Sequence, residues 1–466
     1  MSWGTERVSG DIGSSSNPLR VAIVGSGPSG FYAAEALLKA PLEIRVDMLE
    51  RLPVPFGLVR YGVAPDHPKL KQPVAVFDKI AQTPNFRFFG NVTVGRDISV
   101  AQLRSTHHAI LFAYGAETDR PLGLDGEDLP GSHTATEFVG WYNGHPDYRD
   151  RSFDLSAEVA VIVGQGNVAA DVARVLMKPV DELRLTDISQ HALDALADSR
   201  VREIHIVGRR GPAQARFTSR ELRELGELQH CVAEVSASNL QLGATCLEEL
   251  ADKSNYVAAK NVEIFRSWSE RRAVDGEKRI VFHFLKQPVQ LGGRGRLESV
   301  TLERGVLAGS PFAQSAQGTG DLDSLSCGLL FRSIGYRGLP LNELPFDPCK
   351  GVLIHEAGRI GDSPGLYAAG WIKRGPSGII GTNRADAVAT VATLISDLPV
   401  LGTSAKAGSD ALCEALARRG TRIVSYQDWL RLDEIEVRRG ALAGKPREKM
   451  TRVSEMLEAL QIAAAA

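Results

Sequence analysis

This chain of 466 residues has almost no net charge: 54 Lys and Arg stand against 56 Asp and Glu, a balance of −2. A nucleic-acid binder usually carries a strongly basic face, and no overall excess supplies one here. Long apolar runs are also missing, since no stretch approaches the ~18 consecutive apolar residues of a membrane span. Cysteines are few and scattered: Cys231, Cys246, Cys327, Cys349 and Cys413 are five, an odd number. Such usage suits a reducing compartment, and the expected location is cytoplasmic. None forms the C-x-x-C spacing of a redox dithiol or the set that holds an iron–sulfur cluster. Nor does a tight grouping of His, Cys and carboxylates suggest zinc, so no metal site is expected. Residues 1–19 lack the apolar segment of a secretory signal and carry Glu6 and Asp11 with few Arg, unlike a transit peptide. They are expected to form a disordered leader.

With 43% apolar and 24% charged residues, the composition is that of a globular chain of two or three domains. Glycine is in surplus: there are 46, where roughly 33 are expected at the usual ~7%. Much of it falls in three units that read as buried strand, glycine turn and helix. The first is the run from Arg20 through Gly25-Ser-Gly27-Pro-Ser-Gly30, with a helix from Phe31. The second runs from Val159 through Gly164-Gln-Gly166-Asn-Val-Ala169, with a helix to Met177. The third is Leu366 to Trp371, a Gly375 to Gly381 turn and a helix through Leu394. Short β-branched runs bounded by glycine predict parallel strands covered on both faces. Between the second and third units, 261–336 reads as strand-rich, with 278–289 and 297–306 as a meander. Residues 181–200 read as one inserted helix, and 307–323, rich in Gly, Ser and Gln, as a mobile loop.

Gly25-x-Gly27-x-x-Gly30 sits between a strand and a helix, where such a loop cradles a dinucleotide pyrophosphate. The helix start then offers N–H donors and a positive dipole. An acid about 20 positions on should bind ribose hydroxyls, and Glu50 lies 50 − 30 = 20 residues after Gly30, at the end of the next strand. Gly164-x-Gly166-x-x-Ala169 is the alanine form of the same fingerprint. Its next strand ends not in an acid but in Arg209-Arg210. An Arg in that place indicates the 2′-phosphate of NADP, which a guanidinium fork matches. Between 200 and 224 there are seven Arg and three Glu, a local excess of 7 − 3 = +4. Arg216, Arg220 and Arg223 face either an acidic partner or water. Two dinucleotide sites predict a bound flavin and a diffusing nicotinamide. Without a dithiol, the reduced flavin must pass its electrons to an external acceptor.

Several segments carry a resemblance. Gly25-Ser-Gly-Pro-Ser-Gly-Phe-Tyr-Ala-Ala34, Val54-Pro-Phe-Gly-Leu-Val-Arg60 continuing to Pro68, Gly164 to Arg174, Gly208-Arg-Arg-Gly-Pro212 and Gly370-Trp-Ile-Lys-Arg-Gly-Pro-Ser-Gly-Ile-Ile380 are similar to those of adrenodoxin reductases. The similarity covers nearly the whole chain beyond the leader, including 429–448, and is greater to the bacterial ferredoxin reductases of this family. It implies an α/β chain with two Rossmann-like dinucleotide-binding domains of glutathione-reductase type. The FAD domain would span 20–118 and 336–466, with the NADP domain, 119–335, inserted in it. It implies hydride transfer from NADPH to FAD, then single electrons to an acidic iron–sulfur ferredoxin docking near the Arg-rich stretch. That ferredoxin would supply a haem monooxygenase or another dependent enzyme.

By motif matching, FAD would be held around Ser29, Glu50, Leu58, Val94, Trp371 and the Gly378-Ile379-Ile380 backbone. NADP would be held by Arg120, Gln165, Gly166, Asn167, Val168, Arg209, Arg210, Glu221 and Gly378. His67 would lie near the flavin, coupled to Asp171 and Glu221, and handle or orient a proton. Two other readings stay open: a flavin monooxygenase or diaphorase, and a non-catalytic electron-transfer subunit.

Overall fold

Leu19–Val24 carries five apolar residues, all buried, with Arg20 between them half-covered. Val159–Val163 is equally apolar and buried from Ala160 onward. Such runs lack an outward polar face, so each must sit inside a sheet covered on both sides. In the computed structural model, which describes residues 11–362, 364–378 and 380–465 (side chains through Gln461), that is where they lie.

Leu19–Val24 is central in a seven-stranded sheet. The strand order is His355–Glu356, Arg359–Ile360, Leu366–Ala368, Ala109–Phe112, Leu19–Val24, Ile44–Leu49 and Phe86–Phe89. The last five pair in parallel. Val159–Val163 lies within a six-stranded, wholly parallel sheet. Its order is Ser132–Thr134, Leu329–Arg332, Val159–Val163, Glu203–Gly208, Lys278–Phe284 and Cys231–Val235. The fold is thus α/β with two Rossmann-like sheets. In both, the strand leading into the glycine loop is flanked by the next strand and by one arriving later. A crevice opens at the carboxyl ends of the strands at such a reversal. Where the chain leaves the first sheet and where it returns, Thr118–Asp119 and Tyr336–Arg337 pair antiparallel.

Five expectations need correction. Of the supposed leader, residues 11–19 are packed: Ile12 is in the core, Asn17 donates to the Thr403 carbonyl at 3.1 Å, and Leu19 pairs with Ile44. Met1 to Gly10 lie outside the described residues. The strand-rich stretch begins later than 261, because Tyr256–Trp268 is a helix burying Val262, Phe265 and Trp268 at helical spacing. The expected strand 278–289 breaks at Leu285, whose φ is +55°. Lys278–Phe284 stays in the parallel sheet, while Lys286–Gly292 starts a three-stranded antiparallel ribbon with Ser299–Ala308 and Ser315–Ser326. Most of the supposed loop 307–323 is therefore strand. Ser315–Ser326 is an edge strand exposed nearly throughout, so its polar composition shows no alternation. The single helix expected over 181–200 is two, Val180–Leu183 and Gln190–Ala197. The turn between them carries Asp187, which Lys71 holds with both carboxylate oxygens at 2.7 Å.

Candidate functional site

The two glycine loops share one construction. Gly25 has φ +104°, and a Cβ there would lie 2.7 Å from the carbonyl oxygen of Ala113, just beyond the neighbouring strand. Gly164 has φ +145°, and its Cβ would lie 2.2 Å from the Ser333 carbonyl in the corresponding place. At Gly27 and Gly166, by contrast, a Cβ would meet nothing within 4 Å. The first glycine of each loop is required by the protein itself; the second faces open space. Each second glycine also starts an 11-residue helix, Pro28–Leu38 or Asn167–Met177, with no side-chain cap. Some helices elsewhere do carry a side-chain cap, as Val100–Thr106 does from Ser99 and Tyr426–Leu442 from Ser425. The uncapped starts leave N–H donors and a positive dipole facing that space, which suits a pyrophosphate.

What stands behind each loop differs. Glu50 receives Ser26 N at 3.1 Å and Ser26 Oγ at 2.6 Å on one oxygen, and Leu52 N at 3.1 Å on the other. A carboxylate has about four acceptor positions, so capacity remains for a ribose hydroxyl. Behind the second loop, Arg209 is exposed and Arg210 half-buried, and neither has a carboxylate within ion-pair distance among the described residues. Gln165 lies across Gly208, where a Cβ would overlap its side chain at 1.7 Å, and its buried Nε2 lacks an acceptor. Asn167 Oδ1 accepts Thr218 N at 2.8 Å, tying the loop to the helix Ser219–Leu225.

Between the two sheets, residues of three segments meet. His67 is buried, and its Nε2 lies 2.6 Å from Glu224 Oε2. Its Nδ1 is 4.0 Å from Asp171 Oδ1. The expected coupling to Glu221 is therefore replaced by one to Glu224, one helical turn further along Ser219–Leu225 and nearer the His67 loop. Glu221 is buried and its Oε2 has no partner. Burial, then the neighbouring Asp171 charge, pushes its carboxyl up to about 7. Burial also raises Asp171, against the opposing charge of Arg174.

Arg174 and Asp66 were not singled out in the sequence, yet they hold this cluster together. Arg174 grips Asp66 through Nε at 2.7 Å and Nη2 at 3.0 Å, and reaches Asp171 at 2.6 Å. Lys178 adds a contact to Asp66 at 2.9 Å. Burial alone would raise the Asp66 carboxyl, but Arg174 and Lys178 outweigh it and hold it well below the ordinary range. Breaking a buried pair of this kind costs about 3–5 kcal/mol. The i, i+3 spacing of Asp171 and Arg174 is the one sequence signal that points to the pair.

The third glycine segment closes against the first helix. Gly370 has φ +77°, and its Cβ would lie 2.1 Å from Ser29 Oγ, which donates to Asn383 at 3.2 Å. Trp371 is half-buried with Tyr336 at 5.3 Å between ring centroids, and its Nε1 has no acceptor. Gly378 is exposed at φ +85°, Ile380 starts the helix Ile380–Ser396, and Ile379 lies outside the described residues. Leu58 begins a short helix beside the first loop: Phe56 N donates to Ser26 O at 3.1 Å. Val94 is buried and bridges Ile98. Arg120 lies at the crossing between sheets, its N donating to Gly335 O at 3.1 Å, with an exposed guanidinium. Gln165, Glu221 and Trp371 are among the buried side chains that carry an unpaired polar atom, which calls for a partner such as a ligand.

Glu221 makes a test of stability. Its carboxyl titrates near 7 when folded and near 4.5 when unfolded. The folded state therefore holds the extra proton, and stability is lost as pH rises from about 4.5 to 7. Glu221→Gln should leave stability nearly unchanged at pH 4.5 and raise it at pH 8 by up to ~3 kcal/mol. Thermal unfolding at the two pH values decides; an equal shift at both removes the argument.

Residues 19–207 match the pyridine nucleotide-disulphide oxidoreductase family. The chain is similar to NADPH-ferredoxin reductase FprA of Mycobacterium leprae, at 44% identity over 450 residues, 94% of this chain and 97% of that one. It is similar to the mitochondrial NADPH:adrenodoxin oxidoreductase of Salvelinus fontinalis, at 44% identity over 94% of this chain and 90% of that one. Among solved structures, Mycobacterium tuberculosis FprA in complex with NADPH matches with a TM-score of 0.90 at 43% identity, over 95% of this chain and all of that one. No helix among the described residues is long and apolar enough to cross a membrane.

Proposed function

The chain belongs to the pyridine nucleotide-disulphide oxidoreductases, among the NADPH-ferredoxin and adrenodoxin reductases, and on that premise we propose that it oxidises NADPH through bound FAD and reduces an iron–sulfur ferredoxin. The observation that carries this reading is the pair of like-built glycine loops with opposite backing: a carboxylate behind Gly27, unpaired guanidiniums behind Gly166. Opposite backing assigns FAD to the first and NADP to the second. FAD, when bound, supplies hydride acceptance from NADPH and release of the two electrons one at a time.

The residues divide the remaining work. Gly25, Gly27, Gly30 and the start of Pro28–Leu38 approach the FAD pyrophosphate, and Glu50 takes a ribose hydroxyl. Ser29, Leu58, Val94 and Trp371 wall the flavin, and the Gly378 and Ile380 backbone would donate to it. Gln165, Gly166, Asn167 and Val168 approach the NADP pyrophosphate, with Arg120 beside them. Arg209 and Arg210 take the 2′-phosphate. Glu221, raised by burial to about 7, is protonated in part near neutral pH, and in that form it would donate a hydrogen bond toward the dinucleotide. His67, fixed by Glu224, orients or passes a proton beside the flavin, with Asp171 next to it. Segments 20–118 and 336–466 form the FAD domain and 119–335 the NADP domain. The Asp66–Arg174 pair is one of the ion pairs that join them.

The acceptor is external because all five cysteines are free thiols and none lies in a C-x-x-C pair. An acidic ferredoxin suits the excess of arginine over 200–224, where Arg223 is exposed. The cysteine usage suits the cytoplasm. The purified protein should show a flavin spectrum, and NADPH-driven cytochrome c reduction should depend on added ferredoxin. Equal rates without ferredoxin would remove the acceptor claim. Oxygen uptake matched to an organic substrate would favour a monooxygenase instead.

A further inference from the structure

Arg216 follows the Arg209-Arg210 pair by six residues, and the fingerprint does not require it. Its backbone nevertheless belongs to the second loop. Arg216 forms a parallel bridge with Gly166, and its N donates to Gln165 O at 2.7 Å. Its Cα is thereby fixed beside the glycine that faces open space. The side chain is exposed and has no carboxylate within ion-pair distance among the described residues. Arg220, four residues later, differs: it is engaged by Glu224 at 3.0 Å.

The Arg216 charge reaches Arg210. Burial first, then Arg216, then Arg209 push the Arg210 guanidinium below its ordinary range. Arg216 thus acts on Arg210 more strongly than the adjacent Arg209 does. Glu249 is the carboxylate that opposes them. It accepts from Gln214 at 2.8 Å, Gln314 at 2.7 Å and Phe312 N at 2.6 Å, and no ion pair joins it to Arg210 among the described residues. Three guanidiniums are therefore gathered without a paired anion. Like charges held together in the folded state repel unless an anion joins them. A dianionic phosphate monoester suits such a cluster in charge, and guanidinium forks are able to pair with its oxygens.

We propose that Arg216 is a third cationic ligand of the NADP 2′-phosphate, reaching Arg210 from the pyrophosphate loop. The proposal rests on the assignment of NADP to the second loop. It makes Arg216 a determinant of NADPH over NADH and frees it from partner docking, the role left open by its sequence position alone.

Arg216→Gln and Arg216→Lys holoenzymes are to be assayed with NADPH and with NADH. Ferricyanide serves as acceptor, so that no ferredoxin is involved. Inhibition by 2′-AMP and 5′-AMP is measured alongside. Arg216→Gln should raise KM for NADPH about tenfold, leave kcat and the NADH parameters unchanged, and weaken 2′-AMP inhibition more than 5′-AMP inhibition. Arg216→Lys should restore part of the loss. Unchanged NADH kinetics also show that the variant is folded. Equal losses with NADPH and NADH would overturn the proposal in favour of a pyrophosphate or structural role. So would unchanged NADPH kinetics, or a defect seen only when ferredoxin replaces ferricyanide. If wild-type protein itself fails to prefer NADPH, the NADP assignment falls and this proposal with it. If Arg209→Ala/Arg210→Ala removes the preference and Arg216→Gln does not, only the present proposal falls.

Discussion

Arg209→Ala combined with Arg210→Ala should raise KM for NADPH by about a hundredfold while leaving NADH nearly untouched. A hydrogen bond to a charged group is worth about 1.5–3 kcal/mol, and two such groups are removed at once. A factor of ten corresponds to ~1.4 kcal/mol, so a hundredfold is a conservative reading of the pair. NADH has no 2′-phosphate and loses nothing specific. The fold should tolerate the change. Neither guanidinium has an ion-pair partner in the described structure, and burial with like-charged neighbours already disfavours the Arg210 cation. Relief of that repulsion makes the variant no less stable than its parent. Steady-state kinetics with both nicotinamides checks the ratio, and thermal unfolding checks the fold. An unchanged NADPH preference would refute the assignment of the second loop. The wild-type preference should also shrink at high salt, because exposed charges such as Arg209 are screened.

Gly30→Ala should yield protein without flavin and with a lowered melting temperature, whereas Gly27→Ala should lose flavin but keep its fold. The contrast follows from where each added methyl goes. At Gly30 a Cβ would lie 2.2 Å from the Gly25 carbonyl oxygen. That oxygen belongs to the turn itself, so the helix and strand must separate. Overpacking of this kind costs typically 1–3 kcal/mol, and more where backbone must move. At Gly27 the methyl meets nothing of the protein within 4 Å. It occupies only the space the pyrophosphate needs. The flavin-to-protein ratio and the melting temperature of each apoprotein separate the outcomes. If Gly27→Ala retained full flavin, the open space beside that glycine would not be the phosphate site.

The Phe-Gly-Leu-Val-Arg segment shows how a motif can be legible while its reason is not. Phe56 packs against Phe31, Phe77 and Trp429, which lie in different segments of the chain. Arg60 is buried against Glu436 at 2.5 Å and lies over the Trp429 ring at 5.1 Å. Those partners are up to 376 residues away, so no local spacing announces them. The same holds for Lys449, which meets Asp187 at 3.2 Å. Burial, only partly offset by Asp187, pushes its ammonium down to about 7. The edge strand Ser315–Ser326 reads as loop in the sequence for the opposite reason. A strand exposed on both faces has no hydrophobic alternation to display.

The sequence alone determined the local, covalent-range features. These are the glycines whose missing Cβ lets strand, helix and phosphate approach, the acid or arginine ending each next strand, and the absence of a dithiol. Each depends on neighbours within ~20–45 residues and on a periodicity that one strand–turn–helix unit imposes. The tertiary structure decided what crosses between units. It paired His67 with Glu224 rather than Glu221, because one helical turn carries residue 224 to the loop and leaves 221 beside Asp171. It joined Asp66 to Arg174, and it set Arg216 beside Gly166. Those arrangements follow from how two sheets pack, and side-chain reach across a packed junction leaves no mark in the order of residues along one chain.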